Sequence, residues 1–264
     1  MYGVDETGYS GDDAMFDKVH EMRTRIMTNP HFTSDRILGA ILFENTMDRQ
    51  VEGKPTAKYL WEEKQILPIL KVDKGLAEEV NGVQMMKPMP DLDALLDKAR
   101  TNGVFGTKMR SVIKTDHYQG IHALVSQQFE VGKQIMERGL VPIIEPEVDI
   151  HSPQKAEAEV ILCDELLANL SELAGNQRVI FKLTLPETPN YYRPCIEHAN
   201  VLKVVALSGG YSREEANRRL AENEGMIASF SRALTEGLTA QQSDEEFSRT
   251  LDRSIETIVE ASRT

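Results

Sequence analysis

Lys71, Lys108, Glu145 and Lys182 are separated by 37 residues at every step, and each closes a short apolar run. A βα unit of a roughly 250-residue eight-stranded barrel averages about 31 residues, so each interval fits one strand, one covering helix and their connections. The apolar runs lie at 37–43, 66–70, 104–105, 141–144, 179–181, 202–207 and 226–230. Runs of this kind suit strands buried on both faces. Between them, 12–27, 92–100, 120–137, 156–173 and 213–223 carry apolar residues at helical spacing. Strand and helix therefore alternate, which predicts parallel βα units with helices covering the sheet.

Each strand hands one charge to the same edge, and the fold whose sites collect at the carboxyl ends of its strands is the (β/α)8 TIM barrel. That α/β architecture is the expected one. An open doubly wound sheet is the alternative, but it would carry GxGxxG after its first strand, and the sequence has no such motif. Only seven strand runs are found, and the helix at 12–27 precedes the first of them. The expectation is a single barrel domain over 1–264 that lacks its first strand, or else a barrel closed with fewer strands.

Of the 264 residues, 41% are hydrophobic and 27% charged, a balance that fits a soluble globular chain. The net charge of −12 argues against nucleic acid or a polybasic membrane anchor as partner, so an anionic ligand needs a local cationic pocket. Cys163 and Cys195 are too few for a disulfide framework, and a reducing cytoplasmic compartment is expected. The acidic start at Met1 to Glu6 lacks a leader's apolar core, and the apolar run ending at Ile41, Leu42 and Phe43 is far too short to span a bilayer. The histidines, His20, His31, His117, His122, His151 and His198, form no metal-ligand spacing, and neither cysteine completes a zinc site, so no metal is expected. No nucleophile elbow or Walker loop is present.

Residues two apart on a strand share a face, so Lys71 with Asp73, Lys108 with Arg110, Glu145 with Glu147 and Lys182 with Thr184 are expected to converge. A Schiff-base lysine must attack as the neutral amine, which desolvation and a neighbouring cation both favour. Lys182 has the most apolar flanks of the three lysines and is the expected imine former, with Lys108 as the neighbouring cation and Glu145 as the proton shuttle. The bland alternative for Lys182 is a buried lysine paired to Glu147. Ser208, Gly209 and Gly210, followed by the start of a helical run, read as a loop for an anion, with Arg232 one unit later as a further cation.

These pieces resemble a class I fructose-bisphosphate aldolase of the shorter bacterial kind, from about Asp12 to the C-terminus. The resemblance rests on Leu70-Lys71-Val72-Asp73-Lys74-Gly75, Gly106-Thr107-Lys108-Met109-Arg110, Val141-Pro142-Ile143-Ile144-Glu145-Pro146-Glu147, Phe181-Lys182, Leu207-Ser208-Gly209-Gly210 and Phe230-Ser231-Arg232-Ala233-Leu234, in that order. It implies a metal-free and cofactor-free glycolytic lyase that cleaves fructose 1,6-bisphosphate reversibly to dihydroxyacetone phosphate and glyceraldehyde 3-phosphate. Lys182 would form the imine, Lys108 and Glu145 would assist, and Glu147 would lie beside them. Ser208, Gly209, Gly210 and Arg232 would hold one phosphate and Lys71 the other, with Asp73 and Arg110 as further substrate-side residues. The partners would be sugar phosphates, and a homo-oligomer is compatible with the family. Two family features have no counterpart: the aspartate ending the family's first strand, and the tyrosine near the C-terminus of the longer members, since the last tyrosine here is Tyr211. The competing expectations are an inactive phosphate-binding remnant and a Schiff-base aldolase for another sugar phosphate.

Overall fold

The helix Tyr118–Glu137 illustrates how one repeat is built. Ile121, Leu124, Val125, Phe129 and Ile135 fall on one face and are all buried, and the His117 ring caps the start by accepting the Gly120 N–H at 3.2 Å. The helix stops at Gly139, whose φ of +75° closes the end with bonds from Gly139 N to Met136 O at 2.9 Å and from Leu140 N to Ile135 O at 3.3 Å. The helix Leu92–Thr101 ends the same way at Gly103, with φ +76°. In both, the chain turns directly into the next strand. The computed structural model describes residues 11–264, apart from the side chains of Asp12 and Asp13; the acidic stretch 1–10 lies outside the described residues.

Seven parallel strands form the sheet: β1 (Gly39–Leu42), β2 (Leu67–Lys71), β3 (Gly106–Ile113), β4 (Val141–Val148), β5 (Val179–Thr184), β6 (Val201–Leu207) and β7 (Ile227–Ala228). They lie side by side in chain order, with no reversal. A doubly wound sheet reverses its order at a switch point, so this order selects the barrel. A short antiparallel piece, Val83–Gln84, adds to the far end of β3. Among the described residues β1 and β7 do not pair with each other.

Side chains alternate between two environments. Ile69, Ile143, Ile180 and Val205 pack inward as one cluster, flanked by Ile41, Phe105, Val141 and Ile227. Leu70, Met109, Ile144, Phe181 and Val204 point outward into the larger core beneath the helices. The inward cluster is the floor on which the charged edge rests.

Two expectations need correction. The third strand occupies Gly106–Ile113 rather than 104–105, because its inward face carries Lys108 and Arg110 and charges interrupt the apolar signal. The helix Asp244–Ala261 was not expected; its buried stripe of Phe247, Leu251 and Ile255 is narrow and charged residues fill the other turns. Ser243 and Glu246 start it with a reciprocal capping box.

Phe181, beside Lys182, is fully buried and meets Phe129 edge-on, with ring centroids 6.1 Å apart. Phe181→Ala should cost about 3–5 kcal/mol of unfolding free energy in urea, and a loss under about 1 kcal/mol would show that this contact does not anchor the strand to its helix.

Candidate active site

Lys71 closes β2, whereas Lys108, Arg110, Glu145 and Lys182, expected at strand ends, lie within β3, β4 and β5, which run on beyond the charges. The register sets Lys71 beside Lys108 across β2 and β3, and Arg110 beside Glu145 across β3 and β4. Lys182 Nζ lies 3.0 Å from Glu145 Oε1, while Lys108 Nζ lies 2.8 Å from Glu145 Oε2 and 3.6 Å from Asp73 Oδ2. Lys71 Nζ donates to the Asp73 carboxylate and to its main-chain carbonyl, both at 2.7 Å. The result is one chain of contacts, Lys182 to Glu145 to Lys108 to Asp73 to Lys71. Lys182, Lys108 and Glu145 are 7%, 6% and 3% exposed, so these are buried charges that survive only because each faces an opposite one.

Glu145 Oε2 and Asp73 Oδ2 are buried and accept no hydrogen bond; Lys108 approaches them at ion-pair distance, off the hydrogen-bonding direction. Beside this chain, Arg110 Nε donates to Glu147 Oε2 at 2.6 Å. That bond raises the Arg110 guanidinium above its ordinary pKa. Glu147 therefore serves Arg110, and the alternative pairing of Lys182 with Glu147 is replaced by Lys182 with Glu145. Thr184, expected to share the Lys182 face, instead clasps β4 by accepting Val148 N–H at 2.9 Å and donating to Val148 O at 2.8 Å.

Ser208, Gly209 and Gly210 leave β6 at the same edge, and Tyr211 N–H closes the turn on Ser208 O at 2.8 Å. Gly209 and Gly210 take φ values of +61° and +122°, and a Cβ on Gly209 would sit 2.8 Å from Ile150 Cγ2. A larger residue is excluded there on both counts. The helix start that follows does not offer its N-terminus to a ligand as expected. Ser212 caps it by accepting Glu215 N–H at 3.2 Å, and Glu214 and Glu215 occupy its first turn, so the backbone dipole already faces carboxylates. Arg232 follows β7, is exposed and has no side-chain ion pair or hydrogen bond among the described residues. β6 and β7 are neighbours, paired at Ala206 and Ala228, so the glycine loop and Arg232 leave adjacent strands. Neither touches the lysine and carboxylate chain among the described residues.

An outer set of contacts braces this edge. Lys155 Nζ donates to Leu185 O at 2.8 Å and lies 2.5 Å from Glu159 and 3.0 Å from Glu187. Arg219 reaches Glu187 at 3.2 Å and stacks 4.5 Å over the Tyr211 ring. Burial raises the Glu159 carboxyl above its ordinary pKa despite Lys155. The spacing of charges did not point to these residues, nor to Gln128, whose Oε1 accepts the Glu145 main-chain N–H at 2.9 Å. The available signal for Gln128 was a polar residue on the buried face of an otherwise apolar helix stripe.

A family model described as class-I fructose-bisphosphate aldolase matches residues 16–200. A Synechocystis protein named fructose-bisphosphate aldolase class 1 is 65% identical over 263 residues, covering 100% of this chain and 88% of that protein. The chain belongs to the class-I fructose-bisphosphate aldolase family. A second member of that name, from Porphyromonas gingivalis, is 55% identical over 261 residues, covering 99% of this chain and 88% of that protein. In fold, the chain is similar to the solved Plasmodium falciparum fructose-bisphosphate aldolase in its complex with TRAP and a small-molecule inhibitor. The TM-score is 0.73 at 20% identity, covering 96% of this chain and 88% of that one. It also resembles Cgl0159 from Corynebacterium glutamicum, with a TM-score of 0.58 at 10% identity, covering 99% and 80% of the two chains. Among the described residues no helix is long and apolar enough to cross a membrane.

Among the described residues Glu145 is the only carboxylate at ion-pair distance from Lys182. Glu145→Ala should cost about 3 kcal/mol or more in urea unfolding, since it strips the partner from buried ammonium groups, whereas Arg193→Ala, from the exposed Arg193–Glu197 pair, should cost far less. Equal losses would mean that burial does not distinguish the two pairs.

Proposed function

We propose that the protein is a Schiff-base fructose-bisphosphate aldolase in which Lys182 is the nucleophile. The observation that carries this reading is the single Glu145 carboxylate set between two buried lysines, 3.0 Å from Lys182 and 2.8 Å from Lys108. Glu145 keeps an ammonium partner in Lys108 when Lys182 reacts as the neutral amine. Glu145 takes the proton that Lys182 gives up, the neutral amine adds to the substrate ketone, and Glu145 returns that proton to the carbinolamine hydroxyl so that it leaves as water. The iminium then takes up the electron pair of the bond between the third and fourth carbons as the Glu145 carboxylate, freed of its proton in the previous step, takes the proton of the fourth carbon's hydroxyl. The aldehyde product departs, and the enamine on Lys182 is protonated at carbon and hydrolysed to release the ketone. Addition runs through the same enamine in reverse.

Glu145 Oε2 and Asp73 Oδ2, each ion-paired with Lys108 but accepting no hydrogen bond, suit substrate hydroxyl groups, because a buried acceptor gains from a donor that reaches it. Ser208, Gly209, Gly210 and Arg232 hold one phosphate, and Lys71 with Arg110 faces the other. Four cations, Lys71, Lys108, Arg110 and Lys182, against three carboxylates leave the edge locally positive on a chain of net charge −12. The same reading puts the reaction in glycolysis and the protein in the cytoplasm. The same reading takes the strands as one barrel domain.

Borohydride added with dihydroxyacetone phosphate should trap a covalent adduct on Lys182 in the wild type and none in Lys182→Met; label on Lys71 or Lys108 would overturn the assignment. Arg232→Ala should weaken sugar bisphosphate binding by about 10-fold or more, the loss of one charge-assisted contact, and an unchanged affinity would remove Arg232 from the site.

A further inference from the structure

Gln128 lies on the outer helix Tyr118–Glu137, on the opposite side of the sheet from the charged edge, and is wholly buried. An unpaired amide there would be expensive, and both of its ends are used. Oε1 accepts the Glu145 main-chain N–H at 2.9 Å, and Nε2 donates to the hydroxyl of Ser111, itself buried on β3. The amide has one orientation available. A main-chain N–H can only donate, so the carbonyl oxygen must face Glu145 and the NH2 must face Ser111.

The strand needs such a bond at this point. β4 and β5 pair at Ile143 with Ile180 and at Ile144 with Phe181, and Glu145 lies just beyond the last of these pairs. Pro146 follows, brings no N–H of its own and restricts Glu145 to extended backbone. Glu145 thus sits where the ladder to β5 gives out while the pairing with β3 continues through Val148, yet its carboxylate must hold two lysines on opposite sides within 3.0 Å. The side chain of Gln128 supplies the acceptor that the sheet does not.

We infer that Gln128 is a positioning residue for the reaction: through the Glu145 main-chain N–H it sets the height of Glu145 in the strand, and so the sharing of its carboxylate between Lys182 and Lys108. This rests on the Schiff-base reading. It touches no substrate. A displaced Glu145 would slow the proton transfers that make and break the carbinolamine while leaving phosphate binding intact, since Ser208, Arg232 and Lys71 stand apart from Gln128.

The test compares wild type, Gln128→Met, Gln128→Glu and Ser111→Ala, each normalised to folded protein. The readouts are kcat and KM for fructose 1,6-bisphosphate cleavage, the rate of borohydride-trappable imine with dihydroxyacetone phosphate, and the thermal midpoint. Gln128→Met, unbranched and without an acceptor, should lower kcat and the imine rate together by about 10-fold or more with KM within about 2-fold, the pattern of a lost transition-state interaction. Gln128→Glu keeps an oxygen for the Glu145 N–H and should recover most of both rates even if its thermal midpoint stays low. Ser111→Ala frees the amide to turn and should give a smaller loss in the same two rates. Wild-type imine rates in Gln128→Met, or a lowered midpoint with unchanged rates, would overturn the inference. If Gln128→Met does not fold, wild-type rates in Ser111→Ala together with unrecovered rates in Gln128→Glu would overturn it. Absence of any trapped imine in the wild type would overturn the Schiff-base reading itself, a separate outcome.

Discussion

One carboxylate shared by two buried lysines is the constraint around which this edge of the protein is organised. Glu145 is 3% exposed and contacts Lys182 and Lys108 through its two oxygens. Ammonium groups this deep persist only with a partner, and a carboxylate this deep likewise, so the three side chains are mutually required. Lys108 extends the dependence to Asp73, and Asp73 to Lys71. Moving any strand by one residue would turn its charged side chains outward into the apolar core.

The rest of the structure holds those strands in register. Below the charges, Ile69, Ile143, Ile180 and Val205 fill the interior as one layer. Outside, helices ending at Gly103 and Gly139 return the chain to the sheet through the same left-handed turn. Where the β4–β5 ladder stops, side chains add to the backbone: Thr184 joins Val148 across β5 and β4, Gln128 reaches Glu145, and Lys155 holds the Leu185 carbonyl. The charged edge is thus a sheet edge braced by polar side chains from its own helices and neighbouring strands.

Much of this was legible in the sequence for a physical reason. Strands covered on both faces must be apolar, helices laid on them must be amphipathic, and a charge ending each strand must face one edge; hence the barrel, the candidates Lys71, Lys108, Glu145 and Lys182, and the family motifs. Where inward-facing positions are charged, the same logic fails, and β3 was misplaced because Lys108 and Arg110 lie inside it. The helix Asp244–Ala261 went unread because its apolar stripe is narrow against a charged background.

The sequence by itself determined the alternation of strand and helix up to about residue 230, the recurring charges on the strands and the membership of the family, because these follow from local periodicity and from residues close together in the chain. Only the tertiary structure decided which charge meets which: Glu145 rather than Glu147 with Lys182, Arg110 with Glu147, Ser212 and its acidic neighbours closing the helix start, and Gln128 behind Glu145. Such partners are tens of residues apart, or lie across a sheet from one another. Their pairing depends on strand register and on which way each side chain leaves the backbone, and spacing along the chain fixes neither.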